Sequence, residues 1–192
     1  MRTRPASRGE ARLGPPGPRV GHAVPVLIRR VDEDDWPIVR DVRLRALRES
    51  SEAFGASLTR EERFTESHWR MRLRTSPTWV AVDDADAPKG LVSLVPEPGS
   101  PEDDRHVVSL WVAPEVRRRG IGWSLLDTVV RAGAADGART VSLWVVDDNA
   151  EAVDLYVRAG FTRTGETQAL PRDPSRTEER YERPTSPRGL VG

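Results

Sequence analysis

The stretch Arg117-Arg118-Arg119-Gly120-Ile121-Gly122 determines how this chain is organised, because it joins a predicted strand to a predicted helix. The strand, His106–Val112, is mostly apolar and ends before Pro114, and the run from Trp123 to Ala132 has helical apolar spacing. A glycine-containing turn before a helix binds anions, since unpaired N–H groups and the positive end of the macrodipole lie there. The stretch therefore predicts a phosphate-binding turn, with a solvated basic run as the alternative.

Two well-known phosphate motifs do not fit this turn. A Walker loop needs Gly-Lys-Ser/Thr, which does not follow Gly120. A dinucleotide fingerprint needs a third glycine and an acidic residue after the next strand. The surrounding sequence must decide which ligand the turn binds.

The amino-acid composition disfavours several classes of partner and chemistry. Lys+Arg 30 against Asp+Glu 30 leaves no net charge to steer the chain toward nucleic acid or an anionic membrane. Cys 0 excludes disulfides, thiolate metal sites and a cysteine nucleophile. No apolar run approaches the roughly 18 residues of a membrane span, and no secretory h-region is found. We expect a soluble cytoplasmic protein with no membrane partner, and no metal, because no His/Asp/Glu cluster has metal spacing.

The chain of 192 residues is expected to hold one domain between two tails. Residues 1–25 are rich in Arg, Gly and Pro and predict a disordered tail, with a nucleic-acid-binding arm as a lesser alternative. Residues 26–183 carry the alternating strands and helices of an α/β layer with a mixed sheet, and residues 184–192 form a second tail. Strands are predicted near 25–31, 78–82, 90–95, 106–112, 139–146, 161–167 and 178–183, and helices near 37–49, 60–74, 123–132 and 149–159.

Two patterns give the chain a family resemblance. The turn matches Arg/Gln-x-x-Gly-x-Gly/Ala through Arg117, Gly120 and Gly122. A second pattern, Asn-x-x-Ala-x-x-x-Tyr-x-x-x-Gly-Phe, is matched by Asn149, Ala152, Tyr156, Gly160 and Phe161. Both occur in the order found in the GNAT N-acetyltransferase superfamily, and residues 26–183 as a whole resemble it.

The resemblance implies an α/β fold of the GNAT type. Its sheet is mixed and mostly antiparallel, with two splayed parallel strands, and about four helices flank it. Acetyl-CoA would lie as co-substrate between Val107–Val112 and Val141–Val146. The implied cofactor-binding residues are Leu110, Trp111 and Val112 on the strand, Arg117, Arg118, Arg119, Gly120, Ile121, Gly122, Trp123 and Ser124 around the turn, and Asn149.

The resemblance also assigns Tyr156 to catalysis. Asn149 and Tyr156 are two helical turns apart and so would share a helix face, while Asp148 and Glu151 predict a capping box for that helix. Asn149 would contact the cofactor arm, and the Tyr156 phenol would protonate the departing thiolate. A core tyrosine is the alternative.

The implied reaction is direct acetyl transfer to a primary amine of a small molecule or a protein N-terminus. The family often uses a Glu on the central strand as base, or a water, but this strand has Ser109 and no carboxylate. The sequence does not identify the general base. The candidates are a chain of water molecules and four nearby residues: Glu97, Asp103, Asp104 and His106. The missing carboxylate also keeps open a non-catalytic, acyl-CoA-binding regulatory module.

The acceptor cannot be identified from the sequence. Five acidic residues in the stretch from about Glu49 to Ser67, which would contact the acceptor, favour a cationic amine: Glu49, Glu52, Glu61, Glu62 and Glu66. Trp111 and Trp144 are expected to be packing residues, and His68 and His106 to be solvated. A homodimer stays open, and we do not expect nucleic acid as a partner of the domain.

Overall fold

The computed structural model describes residues 26–50, 56–170 and 173–185. The predicted N-terminal tail lies outside the described residues. At the other end, the last strand reaches Pro184, and the Thr185 N–H donates to the Arg139 carbonyl at 3.0 Å. The remainder of the predicted C-terminal tail is outside the described range.

Seven strands and five α-helices make up the described part of the chain. The strands are β1 Leu27–Val31, β2 Thr78–Val82, β3 Pro88–Val95, β4 Asp104–Val112, β5 Thr140–Val146, β6 Thr162–Leu170 and β7 Asp173–Pro184. The helices are α1 Trp36–Glu49, α2 Leu58–Glu61, α3 Glu66–Thr75, α4 Ile121–Ala135 and α5 Ala150–Arg158. Short 3-10 turns precede α1 and α4, at Glu33–Asp35 and Pro114–Val116.

The strands form one sheet in the order β1-β2-β3-β4-β5-β7-β6. Every neighbouring pair is antiparallel except β4 and β5, which are parallel and pair only over Asp104–His106 with Thr140–Ser142. Beyond that short ladder the two central strands separate. The predicted fold class, a mixed and mostly antiparallel sheet with two splayed parallel strands, is confirmed.

The single helix predicted near 60–74 is wrong. The structure has two helices there, because Thr65 interrupts the run and opens α3 as its N-cap. The Thr65 N–H donates to His68 Nδ1 at 3.2 Å, which satisfies a donor that would otherwise be unpaired at a helix start. The count of helices in the described residues is therefore one higher than expected.

Helices α1 and α4 cover opposite faces of the sheet. The Trp111 indole of β4 donates to Glu49 at the end of α1, at 2.9 Å. Leu91 of β3 is the register partner of Trp111, whereas a Cβ on the adjacent Gly90 would lie 3.2 Å from Leu125 of α4. Since neighbouring strand residues face opposite sides, the two helices sandwich the sheet.

Burial of apolar side chains on both faces holds these layers together. Each fully buried Leu or Val contributes about 1.5–3 kcal/mol relative to its exposed state. Val42 and Leu47 of α1, and Leu125, Leu126 and Val129 of α4, have no exposed surface. No helix in the described ranges is long and apolar enough to span a membrane.

Candidate functional site: a cleft between the central strands

A cleft of about 1300 Å³ opens where β4 and β5 separate. The outer edge of β4 is paired with β3 and the outer edge of β5 with β7, so the two edges that face the cleft have no strand partner beyond His106 and Ser142 in the described sheet. Unpaired backbone donors and acceptors therefore line the gap. The turn before α4, the helix α5 and part of β7 complete its walls.

A β-bulge lies in the β4 wall of the cleft. The register with β3 passes from Ser93↔Val108 to Leu91↔Trp111, so that Ser109 and Leu110 oppose one residue of β3. Ser109 has a φ of +62°, which is uncommon for a residue with a side chain. Bulges of this kind re-aim backbone groups next to functional sites.

Arg117 braces the turn against the sheet. Its Nε donates to the Val112 carbonyl at 2.9 Å, and its Nη2 donates to Glu49 Oε2 at 2.7 Å. Glu49 also accepts from Trp111, and although burial raises the pKa of Glu49, the bonds from Arg117, Ser50 and Trp111 hold it below its usual value. The Arg117 side chain thus has protein partners, in addition to its place in the cleft wall.

The remaining residues predicted around the turn divide into two groups. Arg118, Gly120, Ile121, Gly122 and Trp123 line the cleft, as do Leu110, Trp111, Val112 and Asn149 from the predicted set. Arg119 and Ser124 lie off its lining. The Ser124 N–H already donates to the Gly120 carbonyl at 3.0 Å, so Ser124 belongs to the helix rather than to the turn.

Gly120 and Gly122 are required for different reasons. Gly120 is the N-cap of α4 with a φ of +83°, the left-handed region that glycine adopts without strain. Gly122 is inside the first turn, and a Cβ there would lie 3.0 Å from Leu155 of α5. Gly122 thus permits close packing of α4 against α5, and it also lines the cleft.

The N-terminus of α4 lies in the lining of the cleft. Among the described residues no side chain caps this helix start, and the N–H groups of Ile121, Gly122 and Trp123 precede the first residue that can bond within the helix. These N–H donors, and the positive end of the macrodipole of the 15-residue helix, therefore lie at the cleft. The arrangement can bind a phosphate group.

The predicted capping box of α5 is wrong. Asn149, not Asp148, is the N-cap, and its Oδ1 accepts from the Ala152 N–H at 3.2 Å. Asp148 instead accepts from Arg176 at 2.6 Å. Asn149 uses its carbonyl oxygen for the cap, so the cap does not occupy its amide NH₂ group, and the residue lines the cleft.

Tyr156 of α5 lines the same cleft. Burial raises the pKa of its phenol to about 12, so the hydroxyl is protonated across the physiological range. The hydroxyl makes no hydrogen bond to another described residue, while its ring packs 6.2 Å from that of Phe161. A protonated, uncommitted O–H in a cleft is suited to donate to a ligand atom.

A buried polar network closes the base of the cleft. Asp104 Oδ2 accepts from Ser142 Oγ at 2.6 Å and from Arg180 Nη2 at 2.8 Å, and His106 Nδ1 lies 3.0 Å from Ser142 Oγ. Contrary to expectation, His106 is buried, with 6% of its surface exposed. Its burial and the nearby Arg180 lower its pKa against the opposing pull of Glu97 and Asp104, which favours the neutral ring.

Among the four bases considered from the sequence, only His106 lines the cleft. Glu97 is held by Trp144 Nε1 and by Arg180 Nη1, both at 2.7 Å. Burial raises the pKa of Glu97, but His106, Trp144, Ser100 and Arg180 together lower it below the usual value. Asp104 belongs to the network described above, and Asp103 lies 3.7 Å from Arg139 at the surface.

Glu178 of β7 is a cleft carboxyl that the sequence did not identify. It is the register partner of Val146 on β5, it lines the cleft, and it accepts from Gln168 Nε2 at 2.8 Å. Burial, and the like charge of Glu97, raise its pKa against the lowering effect of Gln168. Its position follows from the pairing of β7 with β5, for which the sequence of β7 has no local signal.

Within the described residues, the acidic side chains from Glu49 to Glu66 do not form a free acidic surface. Four of them are in ion pairs with arginine: Glu49 with Arg117, Glu61 with Arg43 and Arg72, Glu62 with Arg48, and Glu66 with Arg70. Glu52 lies outside the described residues. In the described ranges no group of three His, Asp or Glu side chains could hold a metal ion.

Diverging parallel strands, a β4 bulge and the N-terminus of α4 together form this cleft. The model of the acetyltransferase (GNAT) family matches residues 43–161. The chain belongs to this family.

Curated relatives match only part of the chain. The peptidyl-lysine N-acetyltransferase YjaB of Salmonella typhimurium is 34% identical over 96 residues, which are 50% of this chain and 57% of that protein. The chain therefore spans little more than half the length of this curated relative. The mycothiol acetyltransferase of Geodermatophilus obscurus is 40% identical over 63 residues, 33% of this chain and 20% of that protein.

Solved structures confirm the fold. The ribosomal-protein-S5-alanine acetyltransferase of Vibrio fischeri superposes with a TM-score of 0.70 at 16% identity, covering 84% of this chain and 93% of that one. At this level of identity the likeness concerns the fold alone.

Proposed function

We propose that this protein is an acetyl-CoA-dependent N-acetyltransferase that transfers the acetyl group directly to a primary amine in a ternary complex. The observation that carries the proposal is the cleft between β4 and β5, which runs from two unpaired strand edges to the open N-terminus of α4. The edges suit the amide groups of a pantetheine arm, and the helix end suits a pyrophosphate. Membership of the family supports the same donor.

The cofactor residues take separate roles in this proposal. The backbone of Leu110–Val112 binds the arm beside the bulge, and the Asn149 amide contacts it from α5. The N–H groups of Ile121–Trp123 bind the pyrophosphate together with Arg118, while Arg117 holds the turn in place through Val112 and Glu49. The Trp123 indole, 47% exposed, offers a surface on which the adenine can stack.

The reaction requires one bond to form and one to break. The neutral amine attacks the thioester carbonyl carbon, a C–N bond forms, and the C–S bond breaks. Tyr156 donates its proton to the departing thiolate sulfur, since its hydroxyl is protonated and lies in the cleft. The proton lost by the amine passes to a base on the opposite side.

Glu178 is the base that the geometry favours. A carboxyl with a raised pKa takes a proton more readily than an ordinary glutamate, and Glu178 lines the cleft. His106 is neutral and lies deeper, at the closed base of the cleft. Glu178 also weakens the alternative of a non-catalytic acyl-CoA-binding module, because that alternative depended on the absence of a carboxylate.

The proposed acceptor at this level is a primary amine, of a small molecule or of a protein. The names of similar proteins include a peptidyl-lysine and a ribosomal-protein-alanine acetyltransferase, so both protein amines belong in any acceptor screen.

A thermal-shift titration with acetyl-CoA tests the donor, with ATP as a phosphate-only control. At a hundredfold excess over Kd, linkage stabilises the folded state by about 2.7 kcal/mol. For a domain of this size that raises Tm by roughly 5–10 °C. A shift with acetyl-CoA and none with ATP supports the donor site, and thiol release with an amine panel then tests transfer. No shift with acetyl-CoA would refute the proposal, and binding without transfer to any amine would favour the regulatory module.

A further inference from the structure

Arg72 of α3 lies in the wall of the cleft that α1 and α3 contribute. Its side chain is 33% exposed, and it lines the cleft together with Arg43 of α1. Arg43 donates to Ser109 Oγ at 3.3 Å, which places this corner of the cleft next to the β4 bulge. The cation therefore lies near the segment of β4 that would hold the thioester.

Glu61 fixes the orientation of Arg72. Both oxygens of the buried Glu61 carboxylate accept from Arg43 in a forked pair, at 2.9 and 3.0 Å. Arg72 makes one short contact to the same carboxylate, Nη1–Oε2 at 2.9 Å, and one long contact, Nη2–Oε1 at 3.5 Å. The Trp69 ring lies 5.6 Å from the Arg72 guanidinium carbon and supports its other side.

Arg72 retains donors that the fold does not use. A guanidinium has five N–H groups, and those of Arg72 make only the two contacts to Glu61 among the described residues. A fixed, partly exposed guanidinium with unused N–H groups is the preferred protein group for binding a carboxylate through paired hydrogen bonds. Since Arg43 already pairs with Glu61 in bidentate fashion, the second arginine is not needed to neutralise that carboxylate.

The opposite side of the cleft has the complementary charge. Arg72 lies on the β4 side, where α1 packs on β3 and β4, whereas Glu178 lies on β7 beyond β5. Both residues line the same cleft. An acceptor placed between them would direct a positive group toward Glu178 and a negative group toward Arg72.

We propose that the acceptor is a small molecule that carries a carboxylate as well as its primary amine, and that Arg72 binds this carboxylate. The inference rests on the proposed acetyltransferase function and specifies its substrate class. Such an acceptor differs from a lysine side chain within a peptide, because the lysine residue carries no free carboxylate beside its amine.

Matched acceptor pairs test the proposal. Thiol release from acetyl-CoA is measured with α-amino acids, β-alanine and 4-aminobutyrate, each beside its carboxamide, and with spermidine and a lysine-containing peptide. For at least one pair, the acid is expected to exceed its amide in kcat/KM by about tenfold or more, the effect of one charge-assisted contact. Equal rates for every acid and its amide, or transfer only to spermidine or the peptide, would overturn the inference and leave the acetyltransferase function intact.

Variants separate binding by Arg72 from a purely structural role. Arg72→Gln is expected to lower kcat/KM for the preferred acid by about tenfold, mainly through KM, and to leave the amide within about twofold. Arg72→Lys should recover part of the preference, because it keeps the charge without the fork. Arg74→Gln is the matched control, since Arg74 lies on the same helix and pairs with Glu33 at the surface.

Failure of carboxylate binding by Arg72 can be distinguished from failure of the proposed acetyltransferase function. An Arg72→Gln variant that loses both acceptors equally, with Tm unchanged, would contradict carboxylate binding. If acetyl-CoA raises Tm but no compound of the panel is acetylated, the acetyltransferase proposal itself fails, and the inference fails with it.

Discussion

His106 of β4 and Ser142 of β5 are the last register pair of the parallel ladder, and their side chains meet at 3.0 Å. Ser142 donates its only hydroxyl hydrogen to Asp104 at 2.6 Å, so this network places the His106 proton on Nδ1, facing Ser142. The lone pair of the neutral ring is then on Nε2. The contact that ends the pairing of the strands thus also sets the tautomer of His106.

Tyr156→Phe should lower kcat by about a hundredfold, the usual effect of losing a general acid. The Kd for acetyl-CoA should stay within about twofold, because the ring and its packing on Phe161 remain. Single-turnover rates and a direct binding titration measure the two effects. Full turnover in this variant would remove Tyr156 from the mechanism.

Glu178→Gln should lower kcat/KM by about a hundredfold, as expected when a general base is lost. In the wild type, the carboxylate form is the active one, so the rate rises with pH as Glu178 loses its proton. Because its pKa is raised, that limb should lie above the usual glutamate range, and the amide variant should lack it.

The adjacent Glu179 provides the control for this variant. It faces the other side of β7 and lies 3.5 Å from Arg163, away from the cleft lining. Glu179→Gln should retain the rate and the pH profile. A Glu178→Gln enzyme with an unchanged pH limb would assign the base to His106 or to water.

Gly120→Ala should weaken acetyl-CoA binding, because a φ of +83° is strained for alanine and the turn must shift to relieve it. The strain should also cost about 1 kcal/mol of unfolding free energy. Gly137→Ala is the matched control at the other end of α4, with a φ of +81° and open space around its Cβ. Both variants should lose similar stability in urea, and only Gly120→Ala should lose affinity. Equal affinity in the two would place the phosphates elsewhere.

Glu61→Gln should destabilise the protein by about 3–5 kcal/mol, because it leaves Arg43 buried without its carboxylate. Burial raises the pKa of Glu61, but Arg43 and Arg72 outweigh it, and the folded-state pKa is lowered. The wild-type stabilisation is therefore complete above the unfolded pKa, near 4.5, and is lost as pH falls through the folded pKa.

Urea unfolding at neutral and acidic pH measures this contribution. The difference between wild type and Glu61→Gln should shrink as the solution is acidified below the unfolded pKa. Glu62→Gln, whose exposed carboxylate pairs with Arg48, should change stability by less than about 1 kcal/mol. A difference that does not depend on pH would show that Glu61 acts through its shape and not through its charge.

The sequence predicted the elements that carry strong local signals. Gly120 and the apolar spacing of α4 fixed the turn and its helix, and the apolar run of β5 fixed a central strand. Tyr156, which the second motif singles out, lines the same cleft as the turn that lies about thirty residues earlier. These features depend on residues that are close in the chain.

Features that depend on long-range pairing could not be predicted. Glu178 enters the cleft only because β7 pairs with β5 in the register Glu178↔Val146. His106 is buried because Ser142 and Asp104 surround it, although an isolated His in a strand is equally compatible with solvent. The break between α2 and α3 was missed because Thr65 acts as a cap within a run of otherwise helix-compatible residues.

The separation of β4 from β5 has a consequence for hydrogen exchange. Each strand is anchored along its outer edge, β4 to β3 and β5 to β7, so the gap between them does not require a ligand to hold it open. Amides on the inner edges, from Val107 to Val112 and from Leu143 to Val146, should exchange quickly although they lie at the centre of the sheet. A pantetheine arm that hydrogen-bonds to these edges would slow that exchange. Amides of the two central strands, and not those of the edge strands, would therefore show whether the cleft is occupied.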